Sequence, residues 1–371
     1  MRVGFDARWY NDAGVGTYVA ELLRALVRRA DCELIVYENP GNLVPGLDGL
    51  TGRRISVRSA KYSLAAQFEL RRRIRQDKLD VFHTPFYMMP LAAGCPVVVT
   101  VHDLIPFLFK IYAWPKQWMV KLGYRAAASW AAHIIADSQN TANDIQRILR
   151  VPAERITTVH CAAPQDQFHP RANAGELQSL REKFGVQPPY VLASSARNWR
   201  TKNLGSALQA LELTRAQSGV EFQTVVYGPE DGINALGERD RWRGLNVRCI
   251  GYVKASDLAS LFRHAHFFIM PSLYEGFGLP ILEAMSCGCP VLTSNGGSLA
   301  EIAGQGAQVF DPFDVAGMAK VAAAILNNQE EREHWRVSGL RRSADFSWDQ
   351  AASQTVSVYH HAYTRSRARK S

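Results

Sequence analysis

The sequence predicts two α/β domains, each an open parallel sheet covered by helices. Short apolar or β-branched runs alternate with amphipathic stretches along most of the chain, the pattern of strands joined by crossover helices. That alternation weakens between residues 164 and 189, where Pro164, Pro170, Pro188 and Pro189 flank one polar helix candidate at 176–184. The 371 residues also exceed what one core of about 100–200 residues holds. With 47% hydrophobic and 21% charged residues, the chain is too apolar for disorder and has an ordinary globular composition.

The opening run at 3–6 reads as a first strand. Asp6 and Arg8 stand where a secretory signal requires an apolar region, so a cytoplasmic protein is expected. A helix follows at 18–29, with Leu22, Leu23, Leu26 and Val27 on one face. Further strands are expected at 34–37, 55–58, 81–83, 97–101 and 134–136, and a helix at 139–149. In the second half, strands at 190–193, 222–227, 247–251, 267–270, 290–293 and 308–310 alternate with helices such as 204–214 and 255–263. After Asp314 the strand pattern stops, and helical segments run to a basic tail at 365–370.

The longest apolar runs, 97–101 and 267–270, fall far short of the roughly 18 residues that span a bilayer. Cys32, Cys95, Cys161, Cys249, Cys287 and Cys289 are scattered without the spacing of a disulfide framework or a zinc site, so no metal is expected. The net charge of +9 favours anionic partners, but no nucleic-acid recognition motif accompanies it. The stretch 107–130 interleaves Phe109, Tyr112, Trp114, Trp118 and Tyr124 with Lys110, Lys116, Lys121 and Arg125. It reads as a surface for anionic membrane, as a hold on a lipid-linked acceptor, or as an ordinary packed helix. Arg71, Arg72, Arg73 and Arg75 would add to membrane attraction.

The most informative segment is Pro271-Ser272-Leu273-Tyr274-Glu275-Gly276-Phe277-Gly278-Leu279-Pro280-Ile281-Leu282-Glu283-Ala284. It leaves a buried strand, turns through Gly276 and Gly278, and enters a helix whose first turn holds Pro280. Glycines before a helix N-terminus let backbone N–H groups approach an anion, which is the chemistry of a diphosphate site. Glu283, one turn into the helix, can accept two hydrogen bonds from a ribose diol, while Glu275 faces the other end of a ligand. The plainer reading is a turn followed by a carboxylate complementing the helix dipole. The run from Ser194 to Asn203 carries Arg197, Arg200 and Lys202 after a strand, where cations can neutralise a leaving diphosphate. His102-Asp103 likewise follows a strand, at the end where open sheets place ligand contacts. Gly14-Val15-Gly16 opens the first helix, as a plain turn or as a ligand loop.

Taken whole, the 271–284 segment resembles the E-x7-E motif of retaining glycosyltransferases of family 4, which have the GT-B fold of two facing Rossmann-like domains. The resemblance continues through Met285–Val291 and Ser294–Glu301, through Asp311-Pro312-Phe313-Asp314, Asp137-Ser138-Gln139 and Phe346-Ser347-Trp348, and fades at 41–75 and in the last ten residues. It implies that Glu283 holds the nucleotide ribose and Glu275 the donor sugar, with Gly276, Phe277, Gly278 and Leu279 along sugar and diphosphate. Lys202 and Arg197 would grip the phosphates, Arg200 being a competing assignment, and His102 and Asp103 would lie near the donor sugar, with Gly16 beneath the diphosphate or acceptor. His102, Arg197, Lys202 and Glu275 are thus the catalytic candidates. The implied domains are 1–170, on the acceptor side, and 171–346, on the donor side, with 347–371 returning to the first. Ser347 can cap that last helix, and Ala351, Val358 and Ala362 fall near one face.

The opening glycine loop and the His102–Pro106 run resemble bacterial mannosyltransferases of surface-polysaccharide assembly. The resemblance therefore implies hexose transfer from a nucleotide-sugar to a glycan or lipid-linked acceptor, with GDP-mannose favoured and UDP- or dTDP-sugars open. No cofactor is implied. The alternatives are a sugar-nucleotide epimerase of the same fold and an inactive nucleotide- or membrane-binding scaffold.

Overall fold

A computed structural model describes residues 1–29, 31–50, 52–195, 199–229 and 243–368. The chain divides into two compact units, Met1–Cys161 with Ser347–Ser371, and Ala162–Phe346. The division falls at Cys161 rather than after residue 170, because the intervening residues pack on the second unit. Phe168 is buried against Phe262, with ring centroids 6.3 Å apart, and Arg263 Nη1 donates to the His169 carbonyl at 3.1 Å.

The first unit runs β1 (Arg2–Asp6), α1 (Ala13–Arg29), β2 (Glu33–Glu38), β3 (Arg53–Ser56), α2 (Leu64–Asp77), β4 (Val81–Thr84), β5 (Val97–Val101), α3 (Ile105–Leu108), α4 (Trp114–Trp130), β6 (His133–Ala136), α5 (Gln139–Leu149) and β7 (Ile156–Thr158). Its seven strands are all parallel in the order β3-β2-β1-β4-β5-β6-β7. The central strands are buried throughout, which is why β5 reads Val-Val-Val-Thr-Val without a polar face. Ser63 and Ser138 cap α2 and α5 by accepting from Ala66 N and Thr141 N at 3.1 and 3.0 Å. Strand β3 sits two residues earlier than the sequence suggests, and the edge strand β7 was not anticipated.

The second unit runs α6 (Glu176–Phe184), β8 (Tyr190–Ser194), α7 (Trp199–Lys202), α8 (Leu204–Ser218), β9 (Gln223–Tyr227), β10 (Val247–Gly251), α9 (Ala255–His264), β11 (Phe267–Met270), α10 (Leu279–Ser286), β12 (Val291–Ser294), α11 (Leu299–Ala303), β13 (Gln308–Phe310), α12 (Val315–Asn327) and α13 (Gln329–Ser343). Its six parallel strands are ordered β10-β9-β8-β11-β12-β13. Ala207, Leu208 and Leu211 of α8 meet Met318, Ala319 and Ala322 of α12 in one core.

The final helix, α14 (Trp348–Ala368), belongs to the first unit, as expected. Ser347 Oγ accepts from Asp349 N at 3.2 Å and Gln350 N at 3.4 Å, and Ala351, Val358 and Ala362 are buried. Tyr359 Oη lies 2.7 Å from His83 Nδ1, His83 Nε2 lies 2.8 Å from Thr100 Oγ1, and Tyr18 Oη lies 2.9 Å from the same hydroxyl. Burial pulls His83 down to about 3, so this chain of bonds joins neutral groups.

In both sheets the strand order reverses direction at one place, between β1 and β4 and between β8 and β11. Open parallel sheets bind ligands beyond the carboxyl ends of the strands at such a reversal.

Candidate functional site

In the second unit the two strands at the reversal each deliver a charged side chain. After β8 the chain enters the short α7, which ends in Lys202, and after β11 it runs through Leu273 to Glu275. Leu273 N donates to the Thr201 carbonyl at 2.7 Å, tying the two segments together beyond the sheet. Lys202 Nζ then reaches Glu275 Oε1 at 2.8 Å, with the side chains only 17% and 15% exposed. Sequence reasoning placed each residue at the ligand separately, and the structure pairs them.

The Glu275 loop is held from the neighbouring turn. Glu275 forms an isolated parallel bridge with Gly297, Ser298 N donates to the Glu275 carbonyl at 3.0 Å, and Ser298 Oγ lies 2.8 Å from the Phe277 carbonyl. Phe277 turns its ring inward against Phe346, centroids 6.2 Å apart, leaving half-buried Gly276 and Leu279 on either side. Gly278 forms the N-cap of α10 at φ +96°, a left-handed conformation that glycine adopts without strain. The helix begins with Leu279 and Pro280, so its positive end faces the loop.

Glu283 lies one turn into α10 and is half-buried. Its carboxylate makes no hydrogen bond or ion pair among the described residues. Burial alone pushes it up to about 7. A carboxylate desolvated without a partner gains most from two donors placed side by side, as on a diol. Arg197 lies outside the described residues, and so does the side chain of Arg200, whose backbone is in α7.

In the first unit His102 follows β5 as expected, but both ring nitrogens are taken. Nδ1 is 3.0 Å from Asp137 Oδ2 and Nε2 is 3.0 Å from the Pro85 carbonyl. Burial opposes charge on the ring, yet the Asp137 hydrogen bond and charge outweigh it and raise the His102 pKa. With Nε2–H donating to Pro85, the Nδ1–Asp137 hydrogen bond has one proton between two groups whose pKa values are both raised, His102 by its Asp137 bond and Asp137 by burial. His102 therefore offers a neighbour its ring edge, not a vacant nitrogen. Asp103 Oδ1 accepts from Ile105 N at 2.9 Å, stabilising the turn into α3.

Gly16 is buried in the first turns of α1, where a Cβ would come 2.0 Å from the Tyr10 carbonyl. Close backbone approach thus accounts for this glycine without a ligand. Asp6, the last residue of β1, and Arg8 just after it form a bidentate ion pair with both bonds 2.7 Å and side chains 0% and 2% exposed. Among the described residues, no group of three or more His, Cys, Asp and Glu side chains is arranged to hold a metal ion.

Residues 178–342 match the family model for glycosyl transferases group 1, and residues 13–167 match that for glycosyltransferase family 4. O-antigen chain mannosyltransferase B of Escherichia coli is 33% identical over 293 residues, covering 77% of this chain and 75% of that protein. The chain belongs to glycosyltransferase family 4. Serotype-specific mannosyltransferase WbdA of Escherichia coli is 29% identical over 266 residues, 70% of this chain but 32% of that longer protein. Among solved structures, HepE from Anabaena in complex with UDP-glucose matches with a TM-score of 0.75 at 17% identity, over 96% of this chain and 99% of that one. That likeness concerns the fold, which is GT-B.

In this family 4 glycosyltransferase, sequence reasoning quoted Asp137 and Ser298 within longer motifs but gave neither a role. Asp137 sits just past β6, the neighbour of β5, so strand adjacency was the signal that could have paired it with His102. Ser298 had no such signal, because its two carbonyl partners appear only when the 271–278 loop is folded.

Proposed function

We propose that this glycosyltransferase moves a hexose from a nucleotide-sugar, preferentially mannose from GDP-mannose, to a hydroxyl of a glycan or lipid-linked acceptor, with retention of configuration. The observation that carries the donor site is the Lys202–Glu275 pair beyond the β8/β11 reversal, followed one turn into α10 by Glu283, whose carboxylate has no partner among the described residues. The preference for mannose is supported by the 33% identical O-antigen chain mannosyltransferase B.

Glu283 accepts the ribose hydroxyls. The diphosphate lies at the positive end of α10, where Lys202 exchanges its Glu275 partner for phosphate oxygens. Glu275, so released, accepts from a hydroxyl of the sugar. As the bond from sugar C1 to diphosphate oxygen breaks, its electron pair stays on that oxygen, and Lys202 stabilises the growing charge. The acceptor oxygen bonds to C1 on the same face, and its proton passes to the departing phosphate oxygen. No protein nucleophile takes part, and the protein's own cations meet the diphosphate charge.

A thermal-shift panel of GDP, UDP and dTDP with their sugars tests the donor, since a ligand at 100 times its dissociation constant adds about 2.7 kcal/mol. GDP and GDP-mannose should stabilise most. Stabilisation by UDP or dTDP alone would overturn the nucleotide assignment. An α-linked product by NMR, formed equally well with a chelator present, is expected, and a β-linked product would overturn retention.

A further inference from the structure

We infer that the outward face of α4 rests on an anionic phospholipid surface. Helix α4 is apolar on two sides. Its inner side buries Tyr124, Ala127 and Ala128, with Tyr124 stacked on Tyr87 at 4.1 Å between ring centroids. Its outer side exposes Trp114 by 77%, Trp118 by 56%, Met119 by 67%, Leu122 by 49% and Trp130 by 60%. At 100° per residue these side chains and Arg125 fall within one half of the helix surface, opposite Tyr124. Folding accounts for the inner side only. A soluble surface has no use for so large an apolar stripe.

Charge identifies the occupant. From Leu104 to Ala136 the sequence has no Asp or Glu, but it carries Lys110, Lys116, Lys121 and Arg125. Lys116 Nζ lies 4.4 Å from the Tyr112 ring centre, and Lys121 and Arg125 each lie 5.4 Å from that of Phe107, so these cations flank aromatic rings. A second copy of this face would set cations against cations, whereas anionic headgroups complement them. Indole rings favour the headgroup–acyl boundary, with lysine and arginine reaching the phosphates. The stripe continues into a cavity of about 490 Å³ lined by Ser129 and Trp130, whose wall adds Arg155 and Arg365. No helix among the described residues is long and apolar enough to cross a membrane, so the contact is interfacial.

The inference is independent of the donor reading, and its test needs no substrate. The purified full chain is sedimented with phosphatidylglycerol or phosphatidylcholine vesicles. Binding to phosphatidylglycerol should be at least about tenfold stronger and should weaken with salt. Brominated acyl chains should quench the native tryptophan fluorescence, a readout that requires no variant. Trp114→Ser/Trp118→Ser/Met119→Ser, all at exposed positions, should keep the wild-type melting temperature and lose about tenfold or more in vesicle affinity. Equal binding to both lipids, absence of quenching, or unchanged affinity in the folded triple variant would overturn the inference. So would a dimer abolished by the same substitutions without vesicle binding.

Discussion

Glu283 couples stability to pH in a direction opposite to most surface carboxylates. In the unfolded chain it loses its proton near the ordinary 4.5, whereas burial delays that loss in the folded protein to about 7. Between those values the folded state holds the extra proton, so stability falls as pH rises. At about 1.4 kcal/mol per pH unit, the interval makes the cost of the ionised, buried carboxylate about 3–4 kcal/mol above pH 7. Glu283→Gln keeps the shape and cannot ionise. It should match the wild type near pH 4.5 and exceed it at pH 8 by up to about 3 kcal/mol, or on the order of 6–12 °C in melting temperature for a unit of this size. Thermal melts of both proteins from pH 4.5 to 8.5 read this directly. The same substitution should weaken nucleoside diphosphate binding, because a charged acceptor becomes neutral. A difference independent of pH, or a variant less stable than wild type at pH 8, would refute the account of Glu283 as a desolvated carboxylate waiting for donors.

Lys202→Ala should lower turnover at saturating donor by about 10²–10³-fold, and turnover within threefold of wild type would remove Lys202 from the phosphate role. Arg197→Ala and Arg200→Ala, assayed alongside, identify the arginine that shares the diphosphate. Asp137→Asn should drop the His102 pKa, read by NMR titration of the ring C–H signals. Because His102 is held up in the folded state, its contribution is present below the ordinary 6.5 and fades as pH rises through the folded value, so this variant should lose more stability at pH 6 than at pH 9. Tyr359→Phe leaves His83 Nδ1 buried without a partner and should cost about 1–3 kcal/mol. That loss should be constant from pH 5 to 9, since His83 stays neutral with its pKa near 3.

The parallel strands were legible because their burial on both faces leaves uninterrupted apolar runs, as at Val97–Val101 and Phe267–Met270. Edge strands carry no such mark. Arg53–Ser56 is largely exposed and its register follows β2 rather than its own pattern, while Ile156–Thr158 is too short to show one. The segment around Glu275 and Glu283 was legible because a tight turn into a helix constrains neighbouring residues, and glycine and proline advertise it. The pairings were not. Lys202 and Glu275 are 73 positions apart and His102 and Asp137 are 35 apart, so only the strand order brings them together. The unit boundary escaped for a related reason: what assigns Phe168 and His169 is contact with Phe262 and Arg263, not local composition.

The position of α14 in the chain also orders the protein's synthesis. Residues 162–346 are contiguous, so the second unit has every strand in hand once Phe346 has left the ribosome. The first unit does not, although it begins 161 residues earlier. Until α14 emerges, His83 lacks its Tyr359 bond, and the parts of α1, β4, β5 and β6 that this helix covers stay bare. The usual N-terminal-first sequence of domain completion is thereby inverted. A nascent chain stalled before Ser347 would present a finished second unit joined to a half-clothed first one, and that first unit is the part for which a chaperone would compete.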